Sequence, residues 1–129
     1  MKIKLVVVAI SISSLLTFQA YANPTVNNLL QKYQQLGAGA VAPEQGKNLW
    51  YSKNGDRSCT SCHGSSPSKT GKHIKTGKVI KPMAGSENPE RFQDIKKVEK
   101  WFLRNCKWTF GRQCTVQEKT DTLTWLSSF

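Results

Sequence analysis

Acidic residues are scarce in this sequence, which has 8 Asp and Glu against 19 Lys and Arg and a formal net charge of +11 at pH 7. Long apolar segments are also missing, because the run from Leu5 to Phe18 is shorter than the roughly 20 residues that a membrane-spanning helix needs. No stretch shows a clear strand pattern, and hydrophobic residues make up only 38% of the chain. These shortages argue against stable membrane insertion and against a β-sheet domain, and they call for a source of stability besides the core.

The first 22 residues have the pattern of a secretory signal peptide. Lys2 and Lys4 precede the apolar run, and Ala20-Tyr21-Ala22 fits an A-x-A cleavage site. Cleavage there leaves one domain over residues 23–129. Because such a signal directs export, we expect a periplasmic protein. Export sends the cysteines to an oxidising compartment, where disulfides form.

Two of the four cysteines lie in a C-x-x-C-H motif formed by Cys59, Cys62 and His63. Thiols at this spacing can bond to the two vinyl groups of one haem, while the adjacent imidazole binds the iron from the proximal side. A thioredoxin-like dithiol would need a βαβ context, and a zinc site would need a second ligand pair at matching spacing. The motif therefore predicts one covalently bound haem c.

Apolar spacing predicts about four helices packed around that haem. A first helix is expected over residues 24–36, and a shorter one from Pro43 toward Asn54. A third helix follows Asp94, and a T-x-x-E capping box over Thr115–Glu118 opens the last one. The expected architecture is all-α, with the haem serving as an apolar plate on which the helices pack.

The stretch from Gly64 to Glu87 loses helical periodicity, and its glycines and prolines predict a long structured loop. Lysine recurs in it at every third position: Lys69, Lys72, Lys75, Lys78 and Lys81. These lysines form either a positive rim that steers an acidic redox partner toward the haem edge or a merely solvated basic loop. Both interpretations stay open, and nucleic acid is a poor partner for an exported haem protein.

The second ligand of the iron has three candidates. His73 would give bis-histidine ligation, and Met83 would give the His/Met pair of ordinary electron-carrying cytochromes. Asn105 is the third, because it falls on an apolar helical stripe where an unpaired amide would cost about 1–3 kcal/mol. Its partner is either backbone at a helix end or the haem iron, and the residues alone leave both open.

That stripe consists of Ile95, Val98, Trp101, Phe102 and Asn105. Trp101 or Phe102, one turn before Asn105, is expected to shape the same pocket.

Cys106 and Cys114 remain after haem attachment, and in an exported chain they should pair. Such a nine-residue loop would stabilise the fold by about 2–3 kcal/mol; two free thiols are the alternative.

Short motifs across nearly all of the mature chain resemble the sphaeroides haem protein (SHP) family of monohaem c-type cytochromes. They are Thr76-Gly77-Lys78, Asn88-Pro89-Glu90-Arg91-Phe92, Lys97-Val98-Glu99-Lys100-Trp101, Arg104-Asn105-Cys106, Gly111-Arg112-Gln113-Cys114-Thr115 and Glu118-Lys119. The resemblance implies a class I cytochrome c-like fold. It also implies an asparagine, matched by Asn105, as the distal ligand of ferric iron, beside a disulfide matched by Cys106 and Cys114.

In that family the asparagine leaves the iron on reduction, and the open ferrous site binds small diatomic ligands such as O2 and NO. The resemblance further implies a dihaem cytochrome c as electron donor, and it counts against Met83 as a ligand. A plain electron carrier ligated by His63 and Met83 is the alternative function. An enzymatic activity, such as slow oxygen or nitric oxide chemistry at the haem, would rest on the resemblance alone.

Overall fold

The structure, a computed structural model, describes residues 23–129; the predicted signal peptide over residues 1–22 lies outside them. The described part holds five helices and one small hairpin. They are α1 (Pro24–Gln35), α2 (Pro43–Tyr51), α3 (Thr60–His63), β1 (Gly71–Lys72), β2 (Val79–Ile80), α4 (Ile95–Phe110) and α5 (Val116–Ser127). The four longer helices confirm the all-α prediction, and α3 adds a single turn at the C-x-x-C-H motif.

The first helix begins and ends close to where the apolar spacing predicts. The Asn23 side chain caps it by accepting a hydrogen bond from the Thr25 backbone N–H at 3.0 Å, which satisfies one of the free donors of the first turn. Val26, Leu29 and Tyr33 are buried at spacings of three and four residues. One face of α1 therefore packs on the core while the rest stays in solvent.

The core is centred where α5 meets α1 and α2. Its buried apolar side chains are Val26, Leu29, Tyr33, Trp50, Phe92, Val98, Leu123, Trp125 and Leu126. The indoles of Trp50 in α2 and Trp125 in α5 pack edge to face, with ring centroids 5.6 Å apart. This aromatic pair fixes α2, and with it the segment that leads to the C-x-x-C-H motif, against α5.

Helices α2 and α5 are in backbone contact at Gly46. A Cβ atom at this position would lie 2.5 Å from the Thr122 nitrogen and nearer still to the Asp121 carbonyl. Neither atom can move without shifting the whole of α5. Glycine is therefore required at position 46 for close approach and not for an unusual backbone angle.

We expect Gly46→Ala to lower the free energy of unfolding by about 2 kcal/mol. The methyl group forces α2 and α5 apart, and such overpacking typically costs about 1–3 kcal/mol, more than the 0.5–1 kcal/mol or so that alanine gains over glycine in a helix. Thermal unfolding of the haem-loaded protein should show a fall of roughly 10 °C.

Gly85→Ala is the matched control, because a Cβ there meets no atom within 4 Å. The midpoint of thermal unfolding of Gly85→Ala should stay within about 2 °C of the wild-type midpoint. Equal midpoints for Gly46→Ala and the wild type would contradict the backbone contact.

Glu99 in α4 joins three helices. Its carboxylate accepts from Lys32 of α1 at 3.0 Å and from Lys119 of α5 at 2.8 Å. Burial alone would raise the pKa of Glu99, but hydrogen bonds from the two ammonium groups outweigh it and hold the pKa below its usual value. The carboxylate is therefore charged at neutral pH, and it ties α4 to α1 and α5.

The link between α4 and α5 is braced by several interactions, which we call the α4–α5 clasp. Gly111 ends α4 in a left-handed conformation, with φ of 70°. Arg112 donates two hydrogen bonds to the Glu118 carboxylate, at 2.7 and 2.8 Å. Thr115 and Glu118 form the predicted capping box, and the Cys106–Cys114 disulfide closes the clasp. The motif Gly111–Thr115 thus has a structural explanation at nearly every position.

The loop predicted over residues 64–87 contains a hairpin that the sequence pattern does not show. Gly71 pairs with Ile80 and Lys72 with Val79 in an antiparallel ladder. A Cβ on Gly71 would lie 2.7 Å from the Cα of His63 and closer to the Cys62 carbonyl. The hairpin therefore packs directly on α3, with no side chain between the two backbones.

Among residues 23–129, none of the helices combines the length and apolarity needed to cross a membrane.

Candidate haem site

The single turn of α3 brings the three residues of the C-x-x-C-H motif to one cleft. Cys59 lies at the start of the turn, and Cys62 and His63 lie at its end. Ser58 is buried, and its backbone N–H donates to the Ser61 hydroxyl at 3.0 Å. Because the turn is pinned at its start and packed on the hairpin at its end, both thiols and the imidazole are held in place.

The cleft has a largely apolar wall, which is built from α2, α3, α4, α5 and the segments between them. Its lining residues are Leu49, Trp50, Ser58, Cys59, Cys62, His63, Met83, Phe102, Asn105, Cys106, Trp108, Thr109, Phe110, Cys114, Thr122 and Leu126. It encloses about 620 Å³ free of protein atoms, part of it open to solvent. Ligand pockets typically combine apolar walls with few polar groups, so the lining of the cleft suits a large apolar ligand.

His63 is neutral in this environment. Burial, and secondarily the positive charge of Arg91, lowers its pKa to about 4. The imidazole packs on Trp50, with ring centroids 5.2 Å apart. A neutral imidazole keeps a ring nitrogen lone pair free at pH 7, which metal binding requires.

Arg91 is fixed by backbone acceptors. Its Nε atom donates to the Pro82 carbonyl at 3.1 Å, and one Nη atom donates to the Lys81 carbonyl at 2.7 Å. Burial lowers the pKa of its guanidinium, although a guanidinium stays charged in proteins. Arg91 therefore holds the segment before Met83 and places a positive charge near His63.

The thiols and the rest of the wall fit a covalently attached haem. Both Cys59 and Cys62 are free of disulfides, and burial, with a smaller contribution from Cys62, raises the pKa of the Cys59 thiol to about 11. In the described part of the chain, two buried polar atoms of the wall, Trp50 Nε1 and Thr122 Oγ1, have no hydrogen-bond partner. The cleft is apolar and holds two thiols, a neutral imidazole and two polar atoms without a hydrogen-bond partner. This combination matches the chemistry of haem c.

Asn105 lies within α4 and lines the same cleft, although it is an exposed residue and not a buried one as the stripe predicted. The helix continues to Phe110 and ends at Gly111, so the helix-end explanation for Asn105 is wrong. Its side chain makes no hydrogen bond with residues 23–129. The amide is thus left facing the cleft, and its role as a ligand stays a prediction.

The other two candidates for the distal ligand differ in position. Met83 also lines the cleft and packs partly buried against the core. His73 is exposed in the turn of the hairpin, where its Nδ1 atom accepts from the Lys75 and Thr76 backbone N–H groups. His73 does not line the cleft, whereas Met83 remains available there.

The predicted apolar stripe of α4 is only partly buried. Val98 is buried and Phe102 lines the cleft, but Ile95 is 39% and Trp101 45% exposed. Trp101 instead packs under the Arg104 guanidinium, 5.6 Å from the ring centroid. Of the two pocket-shaping residues expected, the structure therefore places only Phe102 at the cleft.

Comparisons with known proteins agree with this site. Residues 37–126 match a family model described as a domain of unknown function, DUF1924. The cytochrome c-type protein SHP of Cereibacter sphaeroides is 41% identical over 123 residues, which is 91% of this chain and 95% of that protein. The chain belongs to the SHP family of c-type cytochromes. Cytochrome c″ of Methylophilus methylotrophus is 34% identical over 140 residues, covering 98% of this chain and 94% of that protein.

Solved structures give the same result for the fold. The structure of oxidised SHP, an oxygen-binding cytochrome c, superposes with a TM-score of 0.75 at 38% identity, covering 81% of this chain and 96% of that chain. Oxidised cytochrome c″ from Methylophilus methylotrophus follows with a TM-score of 0.71 at 31% identity, covering 81% and 94%. The class I cytochrome c-like fold of this SHP-family protein and its single covalently bound haem c are thereby confirmed.

The disulfide is also confirmed, with Cys106 and Cys114 joined and their Cα atoms 5.6 Å apart. Sequence reasoning did not assign to the cleft several residues that line it, namely Trp50, Trp108, Thr109, Phe110, Thr122 and Leu126. Some signals were available: Trp108 and Phe110 lie between the paired cysteines, and Thr122 and Leu126 are one helical turn apart. The position of Trp50 depends on the α2–α5 contact, which no local pattern reveals.

Proposed function

We propose that this protein is an exported, periplasmic monohaem cytochrome c that transfers electrons and binds small diatomic ligands. Cys59 and Cys62 hold the haem through thioether bonds, and His63 is the proximal ligand. Asn105 occupies the distal position in the ferric state and leaves it on reduction. The observation that carries this proposal is the unpaired amide of Asn105, which faces the same cleft as the two thiols and the imidazole.

The chemistry of each side chain supports this division of roles. An amide oxygen is a hard, weak donor that suits ferric iron and has little affinity for ferrous iron, whereas imidazole suits both. When bound, the haem supplies a one-electron iron couple and, with its distal position open, a place for O2 or NO. The released Asn105 amide then offers an N–H donor to the cleft, and such donors influence whether oxygen is bound or activated.

What is known of two relatives supports the same proposal. SHP is an oxygen-binding cytochrome c, and the solution structure of cytochrome c″ addresses haem-ligand detachment. Electron supply from a dihaem cytochrome c and export to the periplasm complete the proposed role. Export fits the Cys106–Cys114 disulfide, because disulfides persist in an oxidising compartment, and the positive charge of the chain suits an acidic electron donor.

A second candidate function is that of an ordinary electron carrier ligated by His63 and Met83. The observation in its favour is that Met83 lines the cleft beside the motif. A thioether holds ferrous iron well, so this protein would have no open distal position after reduction. The two functions therefore differ most in the reduced state.

Optical spectra of the reduced protein test the proposal. We expect a high-spin ferrous spectrum and rapid binding of carbon monoxide, because no strong distal ligand competes. A low-spin ferrous spectrum that resists carbon monoxide, with a methionine-to-iron charge-transfer band in the ferric state, would favour the electron carrier. The spectrum of an imidazole complex of the same protein serves as the low-spin control.

A further inference from the structure

The hairpin over residues 69–81, which we call the basic hairpin, differs from the rest of the surface in charge. Residues 57–86 carry six Lys and Arg and no Asp or Glu. All the lysines of the basic hairpin are exposed, and among residues 23–129 none of them takes part in an ion pair. Their charge is therefore not neutralised within the described part of the chain, and it is available to a partner.

The basic hairpin has a defined shape. Its turn is closed by hydrogen bonds from the His73 N–H to the Lys78 carbonyl and from the Gly77 N–H to the His73 carbonyl, both 2.8 Å. Gly77 adopts a φ of 68° that this turn requires. The lysines are thus held on a compact hairpin, so the Cα atoms that carry these charges have defined positions.

Two apolar side chains stand among these lysines. Val79 is 71% exposed, more than any other large apolar side chain of residues 23–129, and Ile74 is 57% exposed. An apolar centre surrounded by charged residues is the usual arrangement of a protein docking surface. Singly exposed apolar residues are common, but here two occur on one short hairpin together with five lysines.

The basic hairpin also lies against the haem attachment site. Gly71 contacts the backbone of Cys62 and His63, and a groove between hairpin and motif is lined by Thr60, Ser61, Cys62, Gly64, Thr70, Gly71, Lys72 and Val79. A partner seated on Val79 is therefore adjacent to the Cys62 attachment point. No other surface described here combines unpaired positive charge, exposed apolar side chains and contact with the motif.

We propose that the basic hairpin is the docking surface for an acidic redox protein, with Ile74 and Val79 as its apolar centre and the lysines as its rim. The proposal rests on the proposed function, since it assigns a surface to the dihaem electron donor. In the docked complex the donor would lose one electron and the haem held by Cys59, Cys62 and His63 would accept it, and the only bond released would be the proposed one from the Asn105 amide to the iron. The donor face must present carboxylates around an apolar patch.

Two other anionic partners fit the hairpin less well. Membrane-surface segments typically carry Trp, Phe or Leu on an amphipathic helix, whereas the exposed apolar residues of the hairpin are Ile74 in the turn and Val79 on a short strand. Single-stranded nucleic acid is bound by aromatic stacking, and the hairpin carries neither Phe, Tyr nor Trp. An acidic protein surface is the occupant that matches both its charge and its apolar centre.

The test measures the rate of reduction of the ferric protein by a reduced dihaem cytochrome c, mixed rapidly at several ionic strengths. Lys75→Glu/Lys78→Glu should lower the second-order rate at low salt about tenfold or more, since steering raises such rates by 10- to 1,000-fold or so. Ile74→Ser/Val79→Ser should lower it several-fold while keeping the salt dependence. The rate at saturating donor should change less in both variants.

Lys96→Glu/Lys97→Glu is the matched control, because it makes the same change in net charge at exposed lysines outside the hairpin. Equal slowing in the two charge-reversal variants would overturn the proposal, since overall charge alone would then explain the effect. An unchanged rate in Ile74→Ser/Val79→Ser would show that the two apolar residues do not contribute to docking. Stronger binding to phosphatidylserine vesicles than to the donor would show that the hairpin binds a membrane surface and not a protein. Electron transfer needs only the haem, so these rates remain informative even if the spectra reject Asn105 as a ligand.

Discussion

Asn105→Ala should yield a ferric protein with water or no ligand opposite His63, and its ferric spectrum should differ from that of the wild type. As the proposed distal ligand, the native amide would compete with any external ligand for the iron. If it occupies the iron 90–99% of the time, removing it should raise the apparent affinity for added azide or imidazole about 10- to 100-fold. Titration followed by absorbance measures this change directly.

The position of Asn105 would let a weak donor hold the iron. Asn105 lies within the 16-residue helix α4, and the next residue is covalently tied by the disulfide. Placement by a rigid scaffold removes most of the entropic cost of ligation. Selective reduction of Cys106–Cys114 should therefore ease ligand binding in the same direction as Asn105→Ala, but to a smaller extent.

Met83→Leu is the matched control for this prediction, because leucine keeps the apolar volume and removes only the sulfur. Met83 lies in the same wall and packs on the core, so we expect a ferric spectrum close to that of the wild type. The opposite pattern, in which Met83→Leu abolishes the native spectrum and Asn105→Ala does nothing, would establish the His63/Met83 electron carrier instead.

Replacing both motif cysteines, as Cys59→Ser/Cys62→Ser, should abolish covalent haem attachment. The wild type expressed in an exporting host with haem-attachment machinery should keep its haem after denaturation under reducing conditions, and intact mass should include one haem per chain. The double variant should lose both signals, because a serine hydroxyl cannot form the thioether bonds. Extraction of wild-type haem by acid acetone would contradict covalent attachment.

Cys106→Ser/Cys114→Ser supplies the control with the same number of thiols removed. Its haem should remain covalent, since these cysteines are joined to each other and not to the motif. Loss of the nine-residue loop closure should lower the free energy of unfolding by about 2–3 kcal/mol. Separate effects on haem mass and on stability distinguish attachment cysteines from structural ones.

The features that sequence predicted best depend on local signals. The C-x-x-C-H motif specifies its own chemistry, the apolar spacing of α1 gives its limits to within a residue, and Thr115 with Glu118 marks the start of α5. The disulfide followed from counting cysteines in an exported chain. None of these inferences requires knowing how distant segments pack.

Features that depend on packing could not be predicted in the same way. The orientation of α4 is set by contacts with neighbouring elements, so periodicity placed Trp101 on the buried stripe although it is 45% exposed. The basic hairpin has two-residue strands, and it is fixed by the fit of Gly71 against Cys62. The place of Trp50 in the cleft follows from a backbone contact at Gly46 that is visible only in three dimensions.

The α4–α5 clasp also restricts how the proposed release of Asn105 from the iron would occur. A disulfide, a bidentate ion pair and a capping box restrain the chain from Cys106 to Glu118, so the Asn105 backbone has little freedom to withdraw. If Asn105 is the distal ligand, its amide would therefore leave by rotation about its own two side-chain torsions. Such rotations take picoseconds to nanoseconds in exposed side chains, so side-chain movement would not limit the proposed opening of the site, and the opening would need no refolding of the helix.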